Sequence, residues 1–258
     1  MELFILTHKR YHKQVTWNSL SEELKLSAKL VVVHGEASKY DKKYPIIETP
    51  EGLKGVSNTR QWILDNATEN KIVMLDDDLT FARRRKDMPD RFEPILPVEL
   101  STTFSRIAKL LDTYAHGTIL AREGGNRVPP GVKYVGRAMR VLCFNRKFVK
   151  ELDIKFTPGL VQDDFDITLQ LLKKGERNFI FCDTVQNQSG GSGAAGGASD
   201  YRDMEYHNGS VKYLAQLHPG LVTVVEKHTK VAWGGQPRLD VIVQWKKAYE
   251  QGVRDAAV

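Results

Sequence analysis

The chain has 258 residues, 41% hydrophobic and 27% charged, which is ordinary globular composition and enough for a sizeable core. Its formal net charge of +6 is compatible with a polyanionic partner without requiring one. Cys143 and Cys182 are its only cysteines, which excludes a disulfide framework and a Cys-based zinc motif. The apolar run at the N-terminus is too short for a signal peptide, and no stretch approaches membrane-spanning length. The expectation is a soluble cytoplasmic protein with no membrane partner.

In chain order, Leu3–Leu6 reads as a first strand with Thr7, His8, Lys9 and Arg10 at its carboxyl end. Trp17, Leu20, Leu24 and Leu26 follow at roughly helical spacing, and Leu30–Val33 reads as a second buried strand. Residues 36–52 read as loop with a short extended piece at Ile46–Ile47. The next helix runs through Trp62, Ile63 and Ala67, with Ser57 or Asn58 as its cap. Lys71–Asp76 is a third strand, entering three consecutive carboxylates, Asp76, Asp77 and Asp78. Strand, helix, strand, helix, strand is half of a doubly wound sheet, and ligands bind beyond its carboxyl ends. Residues 81–97 read as a basic loop and 100–114 as a helix. A strand at 138–144, a helical turn at 147–152, a helix at 163–174 and a strand at 179–182 come next. The small-residue segment 188–200 reads as a mobile active-site loop or as a linker. A helix at 203–217 and a strand at 221–225 complete the pattern. The division expected is one α/β catalytic domain: a nucleotide-binding half at 1–80, an acceptor half at 81–230 and a C-terminal extension at 231–258.

Four constellations carry chemistry. Three adjacent carboxylates repel unless a cation sits among them, and hard oxygen donors suit Mg²⁺ or Mn²⁺. On an extended backbone Asp76 and Asp78 would share a side; the alternative is a solvated acidic turn. Asp163, Asp164 and Asp166 open a helix, which suits capping, but one of them could also be a general base near a metal. Arg10, Arg60 and Arg202 each lie where a strand-end loop meets a helix, positions for phosphate or for plain surface charge. Arg83, Arg84, Arg85 and Lys86 follow the acidic strand end and could hold an anionic acceptor, or could be a solvated face. The histidines have no paired metal-ligand spacing; His207, His218 and His228 are candidates for a third ligand, His207 foremost.

These residues carry a resemblance. Gly55-x-Ser57-Asn58-x-Arg60, ahead of the strand ending Asp76-Asp77-Asp78, resembles the nucleotide-sugar half of GT-A glycosyltransferases. Asp163-Asp164-Phe165-Asp166 resembles their acidic catalytic motif. Gly190-Gly191, Tyr201-Arg202-Asp203, Asn208, Leu214, His218-Pro219-Gly220 and Trp233-Gly234-Gly235 resemble more narrowly the phage TET/JBP-associated glycosyltransferases, which glycosylate hydroxymethylated pyrimidines in DNA. The resemblance implies a GT-A fold, mixed α/β and mostly parallel, a UDP-sugar donor, Mn²⁺ or Mg²⁺, and a DNA acceptor such as 5-hydroxymethylcytosine. If the protein is phage-encoded, it would act in the host cytoplasm. It places Thr7, Arg10, Asp76 and Asp77 near base, ribose or sugar, and Asn58, Arg60 and Arg202 on the nucleotide or diphosphate. Asp78, with Asp76, would ligate the metal. Asp164 would be the base of an inverting transfer, with Asp163 and Asp166 beside it. Gln162-Asp163 stands where many relatives carry Glu-Asp, so the base falls at 163 or 164. The rival expectations are a GT-A enzyme with a carbohydrate or other small acceptor, a non-catalytic nucleic-acid-binding protein, and a metal nuclease.

Overall fold

The computed structural model describes residues 1–188, 203–228 and 237–256. In chain order the strands and α-helices are β1 (Glu2–Leu6), α1 (Val15–Ser19), α2 (Glu22–Lys25), β2 (Ala28–Val32), β3 (Ile46–Glu48), α3 (Val56–Asn66), β4 (Lys71–Asp76) and β5 (Leu79–Arg84). They continue as β6 (Phe92–Pro94), α4 (Pro97–Leu110), β7 (His116–Ala121), β8 (Val132–Tyr134), β9 (Val141–Asn145) and α5 (Arg146–Glu151). The last are α6 (Asp163–Lys173), β10 (Phe179–Gln188), α7 (Met204–Leu217), β11 (Val222–His228), β12 (Pro237–Val243) and α8 (Trp245–Asp255).

Among the described residues one ten-stranded sheet runs β3-β2-β1-β4-β9-β7-β10-β5-β6, with β8 paired to β10. β1 to β4 are mutually parallel, and β7 pairs in parallel with β10. β9, inserted antiparallel between β4 and β7, joins the two halves into one sheet. Alternation along the strands divides the core between two faces. Leu3, Ile5, Leu30, Val73 and Leu75 pack against Trp17, Leu24, Phe104 and Ile107 of α1, α2 and α4. Phe4, Val31, Ile72 and Met74 pack against Ile63 and Leu64 of α3 and Ile167 and Leu171 of α6. Helices on both faces bury both sides of the sheet, which is why its central strands read as continuous apolar runs. A third cluster, Phe165, Leu169 and Leu172 of α6 with Leu214, Val222 and Ala248, fastens α7, the β11–β12 hairpin and α8 onto the outside of α6.

Several elements differ from the sequence reading. α3 starts at Val56 behind Gly55, whose backbone φ is +88°, so neither Ser57 nor Asn58 caps it. Residues expected as a basic loop form β5 and β6, because Leu79, Phe81 and Ala82 are buried between the polar positions. α4 begins earlier, at Pro97, a residue favoured in the first turn. β9 begins only at Val141, since Arg140 sits in the left-handed region at φ +62°. β7, β8, β12 and α8 were not anticipated, and β10 runs on past Cys182 through polar residues paired on both sides. No helix among the described residues is long and apolar enough to cross a membrane.

Candidate active site

A pocket of about 1050 Å³ opens beyond the carboxyl ends of β1, β2 and β4. Thr7 and Arg10 follow β1, Val33 follows β2, and Asp76, Asp77 and Asp78 end β4. The start of α3 supplies Lys54, Gly55, Thr59 and Arg60, and the start of α6 supplies Gln162, Asp163, Asp164 and Phe165. Tyr206, His207, Lys227, Arg238, Asp240 and Trp245 close the side opposite the parallel strands. A cavity of this size suits a ligand as large as a nucleotide-sugar.

The acidic strand end is organised by two arginines. β4 stops at Asp76, and Asp77-Asp78 form the turn into β5. Past the strand end the three carboxylates take different partners, while Asp78 still acts on Asp76 more strongly than Asp77 does. Asp77 and Asp78 share Arg10, whose Nη1 donates to Asp77 Oδ1 and, at 2.9 Å, to Asp78 Oδ2. Thr7 Oγ1 also donates to Asp77 Oδ2 at 2.6 Å, and Gln188 Nε2 to Asp78 Oδ2 at 2.9 Å. Asp76 turns to Arg60, which donates to its Oδ1 at 3.1 Å. The Asp76 amide is held at 3.0 Å by the carbonyl of the left-handed Arg140. A non-glycine residue in that region is a site of backbone strain, and here it sets the end of β4.

Arg60 is the keystone. It is 6% exposed, and its Nη1 donates to Asp163 Oδ1 at 2.7 Å while Nη2 holds Asp76. One guanidinium thus ties the metal-candidate strand end to the catalytic-candidate helix start. Arg60 does not present its charge to the pocket as a free phosphate ligand. Burial pushes the Asp163 carboxyl up to about 7, only partly countered by Arg60 and reinforced by Asp164. Asp163 Oδ2 is buried without a hydrogen-bond partner. Burial likewise raises Asp76 to about 6, with Asp78, Asp77 and Asp164 adding to the effect of burial and Arg60 opposing it. Asp164 is raised by burial against the opposing charges of Arg137 and Arg60. Its Oδ1 accepts the Phe165 amide at 3.0 Å, and Oδ2 has no protein partner among the described residues. A carboxylate raised toward neutrality with one oxygen available is suited to accept a proton.

Other expected residues lie elsewhere. Asp166 is turned inward, where it accepts from His218 Nε2 at 2.8 Å and Gln170 Nε2 at 2.8 Å, so it is a structural tie between α6 and the end of α7. Asn58 bonds the Lys54 carbonyl at 2.7 Å and is not part of the pocket lining; Thr59 and Lys54 take its place. His207 Nε2 donates to the Leu239 carbonyl at 3.0 Å, fixing α7 to β12. The basic run is not brought to the pocket. β5 leads away from Asp78, so Arg84 lies about 17 Å beyond Leu79 at ~3.3 Å per residue. Arg84 is buried, and its guanidinium donates to the carbonyls of Cys182, Pro89, Gly125 and Val128. Arg83 pairs with Glu93 and Glu99, and Arg85 with Asp87. With Lys86 they line a separate cleft. Arg202, residues 189–200 and Trp233-Gly234-Gly235 fall outside the described residues. Arg137, Gln188, Tyr206 and Trp245, which line the pocket, gave no signal in the sequence, because two of them come from an irregular connection and a strand end and all depend on the packing of distant segments.

A divalent ion is implied by the resemblance. Among the described residues no three His, Cys, Asp or Glu side chains converge to hold one by themselves. The donors nevertheless fit an ion of the Mg²⁺ type, which needs only one or two carboxylates when diphosphate oxygens and water complete its shell. Burial raises Asp76 most and its carboxylate neighbours add to it, and that added repulsion is the electrostatic cost such an ion would remove.

A parallel β1–β4 unit with an acidic β4 end, facing an acidic helix start across one pocket, is the GT-A architecture. The TET-Associated Glycosyltransferase family matches residues 1–197. The chain belongs to that family. Among solved structures, glucosyl-3-phosphoglycerate synthase from Mycobacterium tuberculosis, in complex with Mg²⁺ and UDP, is similar at 9% identity and a TM-score of 0.52, over 94% of this chain and 86% of that one. S. aureus TarS 1-349, in complex with UDP-GlcNAc, is similar at 13% identity and a TM-score of 0.50, over 84% of this chain. The chain spans 66% of the length of that TarS structure. A comparison with curated proteins finds no match. At these identities the structures speak to the fold.

Proposed function

We propose that the protein transfers a sugar from a UDP-sugar to a hydroxyl on a modified DNA base such as 5-hydroxymethylcytosine, with inversion at the sugar carbon. The observation that carries this reading is Arg60, which ties Asp76 at the donor side of the pocket to Asp163 at the start of α6. The end of β4 and the acidic helix therefore bound one reaction centre. The nucleoside would enter over Thr7 and the β1–β2 strand ends, with the diphosphate toward the N-terminus of α3, whose backbone amides and dipole favour an anion. Asp76 and Asp78 would hold Mg²⁺ or Mn²⁺, which would neutralise the leaving diphosphate. Asp164 takes the proton as the acceptor oxygen forms its bond to the sugar carbon and the bond from that carbon to the diphosphate breaks. Asp163, held by Arg60, keeps the helix start and hence Asp164 in place. A base in a duplex has to be extruded to reach this centre. The family membership and the overall positive charge support a DNA acceptor.

The test is incubation with a panel of UDP-sugars and hydroxymethylated DNA, followed by mass spectrometry of the released nucleosides. A hexose or pentose adduct on the modified nucleoside is the expected product. A sugar moved to a small carbohydrate while DNA is ignored would overturn the acceptor assignment, and cleavage of DNA would point to a nuclease. Asp164→Asn, nearly isosteric, should lower turnover by roughly two to four orders of magnitude with UDP binding kept. If Asp163→Asn is the crippling change and Asp164→Asn is not, the base is Asp163.

A further inference from the structure

The pocket's arginines differ in how they are held. Arg10 is tied to Asp77 and Asp78, Arg60 to Asp76 and Asp163, and Arg140 to Glu123. Arg238 lies 3.7 Å from Asp240, beside Lys227, which bonds the same carboxylate at 2.7 Å. Arg137 has no carboxylate partner among the described residues and is exposed at the pocket wall. Its position is nonetheless defined: the guanidinium lies over the Phe165 ring, 4.3 Å from the centroid. Phe165 is itself fixed, 8% exposed and edge-on to Trp245 at 5.5 Å. A guanidinium held over an aromatic face still has its fork of N–H donors to offer the oxygens of a phosphate. Phe165 follows Asp164 directly, so this fork stands one residue from the candidate base, and its charge acts on Asp164. Arg137 comes from the β8–β9 connection and Trp245 from α8, which lies beyond the residues matched by the family. Neither belongs to the β1 and β2 ends assigned to the nucleoside.

We propose that Arg137 anchors the acceptor by binding the phosphodiester that flanks the extruded, hydroxymethylated base. The proposal rests on the DNA-acceptor reading above and locates within it the group that positions the strand. In this arrangement the phosphate sits at the Arg137 fork while the base, a few ångströms away along the same nucleotide, brings its hydroxyl to Asp164. A cation for the acceptor is thus supplied by this connection, whereas Arg83, Arg84 and Arg85 are engaged in the fold and in their own ion pairs.

The experiment measures binding of a hydroxymethylated single-stranded oligonucleotide by fluorescence anisotropy over a series of salt concentrations without donor, for the wild type, R137A and R137K. UDP affinity is measured alongside by calorimetry. In R137A the slope of log affinity against log salt should fall by about 0.7, the value for one lost phosphate contact on a single strand, and affinity at low salt should drop roughly tenfold. R137K keeps the charge but loses the planar fork, so its slope should stay near the wild type while its affinity falls part-way. UDP affinity should be the same in all three. In steady state the defect of R137A should appear chiefly in the KM for the oligonucleotide. An unchanged slope in R137A, with the loss confined to kcat and its pH profile, would overturn the proposal and make Arg137 a residue that acts only through Asp164. A wild-type protein that shows no salt-dependent oligonucleotide binding would defeat the DNA reading itself, and the anchor with it.

Discussion

Replacing Arg60 by methionine tests the central electrostatic claim. The side chain is buried and donates to Asp163 at 2.7 Å and to Asp76 at 3.1 Å. Methionine fills much of the volume but leaves two carboxylates in the cleft without their shared cation. Removing one partner from a buried ion pair costs about 3–5 kcal/mol when the remaining charge stays ionised. The loss must depend on pH. The Asp163 and Asp76 carboxyls are already raised in the folded protein, to about 7 and about 6. The native state therefore binds protons that the unfolded chain has released, and ionising these groups costs stability as pH rises from the unfolded value toward the folded one. Without Arg60 both values rise further, so the deficit should be largest at pH 8 and much smaller near pH 5, where the acids are protonated in both proteins. Urea denaturation at the two pH values measures it. Adding Asp163→Asn to Arg60→Met removes one orphaned charge and should recover 1 kcal/mol or more, of the size usual for coupled neighbours. Equal losses at pH 5 and pH 8, or no recovery in the double variant, would refute the idea that Arg60 compensates buried carboxylates.

Asp78→Ala should abolish stimulation of turnover by divalent ions with the fold retained, since Arg10 keeps Asp77; full activity of the wild type in EDTA would count against a metal. Turnover of the wild type should fall as pH is lowered through the region of about 7 to 6, because Asp163 and Asp76, raised to those values, act ionised beside the base; a rate flat down to pH 5 would contradict that. Arg84→Ala leaves four carbonyls without their donor and should lower stability by about 3 kcal/mol, whereas Arg85→Ala, which loses one exposed pair, should cost less than about 1 kcal/mol by thermal denaturation. Gly252→Ala would place a methyl 2.3 Å from the Leu172 carbonyl oxygen and 2.4 Å from the Gly175 nitrogen, so α8 must move off α6; a variant with unchanged melting temperature would show that this contact is looser than described.

Local pattern carries the first half of the fold. The apolar runs ending at Leu6, Val32 and Leu75 are strands buried on both faces, and a strand with both sides covered needs no partner to be recognised. The same pattern places three carboxylates at a strand end and three at a helix start, and so the candidate reaction centre. What it does not contain is direction. The strand stops at Asp76 because the chain turns toward β5, and that turn, not alternation, decides that Asp77 and Asp78 share Arg10 while Asp76 takes Arg60. Asp166 reads like Asp164, yet it lies one helical turn on from the buried Asp163, on the inward face, where it meets His218. The basic run at 83–86 has the composition of an anion site, but it begins in a strand, and neighbouring carbonyls and carboxylates occupy Arg83, Arg84 and Arg85. Arg137 is the converse, an isolated arginine in an irregular connection, brought beside Asp164 by the packing of Phe165. Charge type is a property of the residue, and its residues here announce phosphate and proton chemistry. Whether a charge is spent within the fold or left for a ligand depends on which groups the tertiary structure sets within hydrogen-bond reach, and those groups come from segments up to a hundred residues away, as Asp163 does for Arg60.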